Sequence, residues 1–485
     1  MASFKTDDSF LEKISIGAIG TQKVFQDLLN KGHHPIELER GSMNYKIWKK
    51  IKIKRIRVPD ILLVDCGLRI ESRAKTKLEI SMSHSLADPE RGWDFGMKDN
   101  DYVALVFCEK NGERPIDWKA DELVQYVLIK DLREAQKQEL VDYVKPKGAE
   151  EGFEARITWP SAVASENGKI KLVAEDKIQY IRDSDGRTIS LRLTKKSIPM
   201  KSLVKVGDQI VRNQIIASVV PVYSFVNKCD LNKDYYLDNL KSSALSERYA
   251  AAKALSFYKS ESVAKQLLNK LKDSDEHIYV KLESAATLAR FEMKEGYSFI
   301  EECLKNEYAQ YVLESVIILA EIKTSEACKI LTRILSDIKY DPEIRAGAAW
   351  ALGEQNDKKS LNALVKSFNE VDKYIKVEAA RALAKLAKSF NKEIVAQFNT
   401  ASEIEKPGVA WALTKSPTLK LDDILSGLTN MDSRQWISYI IGYQDQGRFI
   451  KEIEKIKSKD PEVYFAVTVL WKILNSWVAE LKEYG

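Results

Sequence analysis

The sequence predicts a multidomain α+β protein. It reads as an N-terminal α/β domain over residues 1–148, a small all-β module over 149–228 and a C-terminal α-solenoid over 229–485. Three observations predict this. Leucine-closed helical blocks recur every 31–33 residues in the C-terminal half; short strand-length segments separated by turns fill 152–226; and helical and strand-like stretches mix before that. At 485 residues, three or four domains are expected. Apolar residues make up 45% and charged residues 30%, a balance with ample core-forming material. No apolar run approaches the ~18 residues of a membrane-spanning helix. The opening MASFKTDDSF carries acids and no apolar signal core, which argues against secretion. Cys66, Cys108, Cys229, Cys303 and Cys328 are scattered, odd in number and without a CxxC pair. They predict neither a disulfide framework nor a cysteine zinc site, and a cytoplasmic setting follows.

In the N-terminal segment, Phe10, Ile14, Ala18, Val24, Phe25 and Leu28 fall at helical intervals across 9–30, interrupted by Gly17 and Gly20, with Gly32 as a stop. Strands are expected at 45–56, 60–64, 68–74 and 102–108, then a second helix over Trp118–Tyr143 and a linker at Lys145–Gly148.

The middle segment offers strand candidates at 155–159, 169–173, 177–181, 188–193 and 215–221, with turns at Asn167-Gly168 and 183–186. The stretch 203–216, built around Val206-Gly207-Asp208, resembles the barrel-sandwich hybrid domains shared by lipoyl carriers and a module of multisubunit RNA polymerases. No lysine between two methionines occupies the expected hairpin, so a swinging-arm carrier is disfavoured and a structural or nucleic-acid-contacting β module is expected, structural foremost.

The C-terminal blocks are Arg248–Leu255, Leu282–Leu288, Val312–Leu319, Arg345–Leu352 and Val377–Leu383, whose closing leucines are 33, 31, 33 and 31 residues apart. Weaker copies follow at Val409–Leu413, Trp436–Ile441 and Val467–Leu470. Small residues within each block let helices approach closely. Intervening patterns such as Val263, Leu267, Leu268 and Leu271 supply a second helix per unit. One such pair cannot bury its apolar face alone, but stacked copies do. Residues 235–485 resemble the short HEAT repeats of the phycobilisome-lyase type. The resemblance implies a scaffold or recognition surface, for a protein partner or a nucleic-acid duplex, and does not imply lyase chemistry.

Candidate chemistry centres on residues 52–75: a basic stretch, Pro59-Asp60, an apolar strand, a Gly67 turn, then Glu71, Arg73 and Lys75 on a second strand. This resembles the PD-(D/E)xK, or restriction-endonuclease-like, nuclease core. The resemblance implies Asp60 and Glu71 as ligands of Mg²⁺ (or Mn²⁺), with Arg73 at the lysine position. Two carboxylates suit a hard divalent ion, which activates water and relieves charge at a scissile phosphate. Arg73 stays protonated and cannot act as a base, whereas Lys75 lies two residues on along the same face. Register decides the rest. A two-residue Cys66-Gly67 turn sets Asp60 opposite Arg73 and on the face of Glu71; a three-residue Asp65–Gly67 turn turns Asp60 away.

Between Arg40 and Arg57 stand eight basic residues and no acid. Lys46, Lys49, Lys50, Lys52, Lys54, Arg55 and Arg57, with Tyr45 and Trp48 interleaved, form a candidate nucleic-acid track. Other motifs fall away. Gly17–Lys23 has the wrong spacing for a phosphate loop; His33 and His34 read as a turn; His84 reads as a loop residue; Asp94, Asp99 and Asp101 read as turn caps. The favoured reading is a Mg²⁺-dependent endonuclease or a degenerate relative that binds nucleic acid, DNA foremost, without cutting. The alternative is a non-catalytic HEAT adaptor that binds other proteins. Neither reading involves a membrane.

Overall fold

Helix α1 (Asp7–Asn30) follows the predicted periodicity, and Gly32 ends it in the left-handed region (φ +81°), its N–H donating to Leu29 O at 2.9 Å. The computed structural model describes residues 7–44, 50–53, 56–85, 88, 92–144, 155–443, 453–469 and 471. The chain divides into two compact units. One comprises residues 1–47 and 55–266, the other 48–54 and 267–485.

The first unit is built on a five-stranded sheet of order β1-β2-β3-β5-β6: β1 (Pro35–Glu37), β2 (Ile61–Leu63), β3 (Leu68–Lys75), β5 (Tyr102–Lys110) and β6 (Trp118–Leu128), with β4 (Ile80–His84) in the crossover between β3 and β5. The first three strands form an antiparallel meander, β3 runs parallel to β5, and β6 returns antiparallel. Because side chains alternate, the two faces of this sheet carry separate cores. Ile61, Leu63, Ile70, Ala104 and Val106 meet Val24 and Leu28 of α1. Val103, Leu105 and Val127 meet Ile80, Met82, Trp93 and Trp159. Gly20 lets α1 lie close to the sheet, since a Cβ there would come within 2.5 Å of Ala74 Cβ.

Two expectations need correction here. Among the described residues of the basic segment, 50–53 and 56–59 have no regular structure, and 50–53 belong with the second unit. There the backbone N–H groups of Lys50 and Ile51 donate to the Glu343 carboxylate at 3.0 and 2.7 Å. The predicted helix Trp118–Tyr143 is instead β6 followed by the short helix α2 (Ile129–Lys137). Pairing with β5 along most of its length overrides the helical propensity of Lys119–Glu122. The predicted linker at 145–148 lies outside the described residues.

Strand β8 (Ala155–Trp159) pairs with β4 and with β7 (Asp142–Val144), so it belongs with the N-terminal sheets rather than with the module that follows. The module itself closes three small sheets, of four, two and three strands, over one core of Ile170, Ile178, Tyr180, Met200, Ile210 and Ile216. Its strands are β9 (Ser161–Val163), β10 (Gly168–Val173), β11 (Lys177–Arg182), β12 (Thr188–Arg192), β13 (Thr194–Lys195), β14 (Ile198–Pro199), β15 (Lys201–Ser202), β16 (Gln209–Ile210) and β17 (Ile215–Ser218). The Val206–Asp208 turn forms as expected, with Gly207 at φ +95°.

Helices α3 (Lys233–Asn239) to α16 (Met431–Gly442) follow. The repeated blocks lie on α4 (Leu245–Ala254), α6 (Ile278–Arg290), α8 (Ala309–Glu321), α10 (Pro342–Gln355), α12 (Lys373–Leu386), α14 (Lys406–Thr414) and α16. The last copy is helical through Val469, and Leu470 is outside the described residues. Asp341 caps α10 by accepting from Glu343 N–H at 2.7 Å, and Asp372 caps α12 by accepting from Tyr374 N–H at 2.7 Å. Neighbouring repeats are keyed by small residues and buried polar bonds. A Cβ at Gly353 would meet Ala382 at 2.8–2.9 Å, and the buried Arg345 pairs with Glu370 while donating to Leu335 O at 2.9 Å. No helix among the described residues is long and apolar enough to cross a membrane.

The two helix-interior glycines of α1 respond oppositely to substitution. A Cβ at Gly17 meets nothing within 4 Å, so Gly17→Ala should stabilise by about 0.5–1 kcal/mol, whereas Gly20→Ala should destabilise by about 1–3 kcal/mol. Denaturant titrations of the two variants check this; the same sign for both refutes it.

Candidate functional site

The β2–β3 connection is a four-residue turn, Val64–Gly67, and so matches neither turn weighed from the sequence. Gly67 sits at φ +65° and its N–H donates to Leu63 O at 2.7 Å. The ladder pairing ends at Ile61 and Ile70; continued one residue outward, the same register sets Asp60 across from Glu71. The larger turn thus sets these acids on one face, the face that carries Arg73 and Lys75 and lies away from α1.

The Asp60 side chain is buried (8% exposed) and accepts the Ser72 N–H at 2.8 Å. Burial pushes its carboxyl well above the usual range, and the neighbouring Glu71 and Glu39 carboxylates add to this, against the Ser72 amide and Arg73. Glu39 was not singled out from the sequence. Its place follows from the backbone, where Leu38 and Glu39 N–H both donate to Asp60 O at 2.7 and 3.2 Å. The Arg73 guanidinium pairs with Glu71 at 2.9 Å, and its Nε is buried without a hydrogen-bond partner. Lys75 reaches the next strand instead, donating to Ser81 O at 2.5 Å and Ser81 Oγ at 3.0 Å. Burial, with Arg73 and Arg156 nearby, lowers its ammonium to about 7. Asp60 and Glu71 are the carboxylates that could hold a hard divalent ion here, one that would offset their mutual repulsion.

The proposed nucleic-acid track is less coherent. Lys46, Lys49, Lys54 and Arg55 lie outside the described residues. Lys50 and Lys52 are exposed and grouped with the repeat unit, while Arg57 stacks over the Phe95 ring at 5.5 Å in the first unit. Arg40 is buried. Asp101 caps its turn by accepting from Lys98 N–H at 2.6 Å, as expected, and Asp94 and Asp99 both pair with Arg133. His84 is on β4 rather than in a loop, its ring 6.3 Å from that of Tyr143.

A different surface lies on the repeats. Tyr308, Ile338, Val371 and Ile404 precede α8, α10, α12 and α14 and are 61, 82, 99 and 64% exposed. They stand at corresponding loops of four successive repeats, so stacking lines them along one edge of the array. The sequence signal was present in the loops between the aligned blocks, where large apolar residues recur at nearly the repeat period.

The depressed Lys75 ammonium has a pH signature. Unfolded, Lys75 titrates near 10.4; folded, near 7, so in that window the unfolded chain holds more protons and stability rises with pH. Lys75→Met should lack this rise and should exceed the wild type at pH 7 and below. Urea midpoints of both proteins between pH 6.5 and 10 test it, and parallel curves contradict it.

Residues 313–384 match the family model for HEAT repeats. No match is found among curated proteins. Among solved structures, the CpcE–CpcF phycocyanin lyase complex of Nostoc sp. PCC7120 aligns at 17% identity and TM-score 0.25, over 51% of this chain and 96% of that one. Escherichia coli YibA aligns at 15% identity and TM-score 0.27, over 50% and 93%. A designed armadillo repeat protein in complex with the peptide (KR)4 aligns at 17% identity and TM-score 0.20, over 50% and 100%. At such scores nothing functional passes from them to this chain. The C-terminal half carries HEAT repeats, and the nuclease resemblance stays a reading of the sequence.

Proposed function

We propose that the protein is a non-catalytic HEAT-repeat adaptor that docks a protein partner along the apolar edge formed by Tyr308, Ile338, Val371 and Ile404. The recurrence of that edge carries the reading. Four large apolar side chains held in water at corresponding positions cost solubility and contribute nothing to the core, which fits a surface selected for contact. Neighbouring helices pack about 8–10 Å apart, so the partner is a segment presenting apolar side chains at a comparable repeat. Burying each of them on binding supplies roughly 1.5–3 kcal/mol. Ile338→Asp and Val371→Asp change residues outside the core, so each should weaken binding about tenfold or more while leaving the melting temperature within a degree or two. Affinity enrichment with quantitative mass spectrometry, wild type against the double variant, tests it. Proteins recovered equally on both remove the edge from the reading.

A second reading is favoured by the facing pair Asp60 and Glu71. It is the metal-dependent nuclease, or a relative that binds nucleic acid without cutting. Here Asp60 and Glu71 hold Mg²⁺ or Mn²⁺, Arg73 meets the scissile phosphate, and Lys75 is the side chain able to be neutral near pH 7. Single- and double-stranded DNA and RNA, incubated with Mg²⁺, Mn²⁺ or EDTA, decide it. The expected result is metal-dependent cleavage abolished in Asp60→Ala with the fold retained. Absence of both cleavage and salt-sensitive binding ends it.

A further inference from the structure

A second cluster of ligating side chains lies at the β2–β3 turn, on residues that spacing alone gave no reason to connect. His33 follows α1, Asp65 and Cys66 occupy the turn, and Cys229 lies in the segment that precedes α3. His33 Nδ1 is 2.9 Å from Asp65 Oδ2, Cys66 Sγ is 3.4 Å from the same oxygen, and Cys66 Sγ is 3.9 Å from His33 Nδ1. Among the described residues this is the single set of three or more such side chains whose donor atoms all lie within 4.8 Å of one another. The 226–231 segment is folded onto the turn, with Leu231 N–H donating to Asp65 O at 2.9 Å. Cys229, in that segment, is near enough to raise the Cys66 thiol, although its sulfur is not among the donor atoms that lie within 4.8 Å of one another.

Two features distinguish this cluster from a plain hydrogen-bonded turn. The His33 side chain is fully buried and faces an acceptor at each ring nitrogen: Asp65 Oδ2 at Nδ1 and Val226 O, 3.2 Å away, at Nε2. A neutral imidazole carries one proton and satisfies only one of these contacts, so the pair needs either a second ring proton or a bound cation. A cation between Nδ1 and the carboxylate satisfies the other, leaving Nε2–H to donate to Val226 O, the arrangement that orients metal-bound histidines. The second feature is spacing. Zinc bonds of 2.0–2.3 Å at tetrahedral angles separate ligand atoms by about 3.3–3.8 Å. The observed 2.9–3.9 Å span brackets that range. Asp65 Oδ1 is already held by His34 N–H at 2.9 Å, leaving Oδ2 as the ligand oxygen.

We propose that His33 Nδ1, Asp65 Oδ2 and Cys66 Sγ form a binding site for a divalent metal ion of the zinc class, which Cys229 Sγ completes by closing in from the adjoining segment. Thiolate and imidazole ligands select zinc over magnesium or calcium. With four protein ligands the site is closed and structural: it ties together the end of α1, the β2–β3 turn and the segment before α3. Binding displaces the thiol protons, so affinity rises with pH.

The test uses the full chain, stripped with EDTA and titrated with Co²⁺ and then Zn²⁺. The expected result is one ion per chain, a thiolate-to-cobalt charge-transfer band with intense tetrahedral d–d absorption, displacement of that spectrum by Zn²⁺, and a raised melting temperature with Zn²⁺. Cys66→Ser and Cys229→Ser should each weaken binding by more than the roughly 10–100-fold that loss of an orienting group costs, and Cys303→Ser should change nothing. If Cys66→Ser fails to fold, Cys229→Ser decides, because Cys229 is exposed. A wild-type chain with no thiolate band, or a spectrum unchanged in Cys229→Ser, overturns the four-ligand site.

Discussion

The turn Val64–Gly67 determines which side chains of β2 meet which of β3, and much of the first unit depends on it. Its backbone is held from several sides. Val64 N–H donates to His34 O at 2.9 Å, Tyr236 OH donates to Val64 O at 2.7 Å, and Leu231 N–H donates to Asp65 O at 2.9 Å. Gly67 supplies the positive φ that closes the turn, and a Cβ there would strike Tyr235 and Leu231 at 2.8–2.9 Å. Shortening the turn by one residue would slip the pairing and reverse the facing of every β2 side chain. The Ile61–Leu63 core contacts and the Asp60–Glu71 pair therefore rest on one local geometry.

How much was legible depended on where the determining contacts lay. The repeat helices came from local signals, namely periodic leucines and small residues, and helices lie on these blocks among the described residues. Strands β2, β3 and β5 were equally clear, since each is a short apolar run bounded by turn residues. The segment 118–128 was misread because its charged residues favour a helix, whereas pairing with β5 decides its state. The basic run failed for a related reason. Alternating isoleucines and lysines imitate an edge strand, yet the amides of Lys50 and Ile51 are taken by Glu343, almost three hundred residues away.

The site residues divide in the same way. Asp60 and Glu71 drew notice as the acid that opens one strand and an acid within the next, but their register was not legible, because the turn between them is held by contacts from 226–236. Glu39 and Ser72 carry no motif at all. They join Asp60 through backbone hydrogen bonds, which side-chain spacing does not encode. Conversely Lys75, expected beside the acids, is drawn to Ser81 by the strand that fills the crossover.

The interlocking of the helical array bears on how such a chain could evolve. Gly353 fits against Ala382, and Gly408 occupies the space beneath Phe368. Each joint between neighbours is thus cut to its own shape, although the units share a common plan. Copies transposed or deleted by recombination would bring mismatched surfaces together, so this array is expected to diverge by paired, compensating point changes rather than by reshuffling of whole modules.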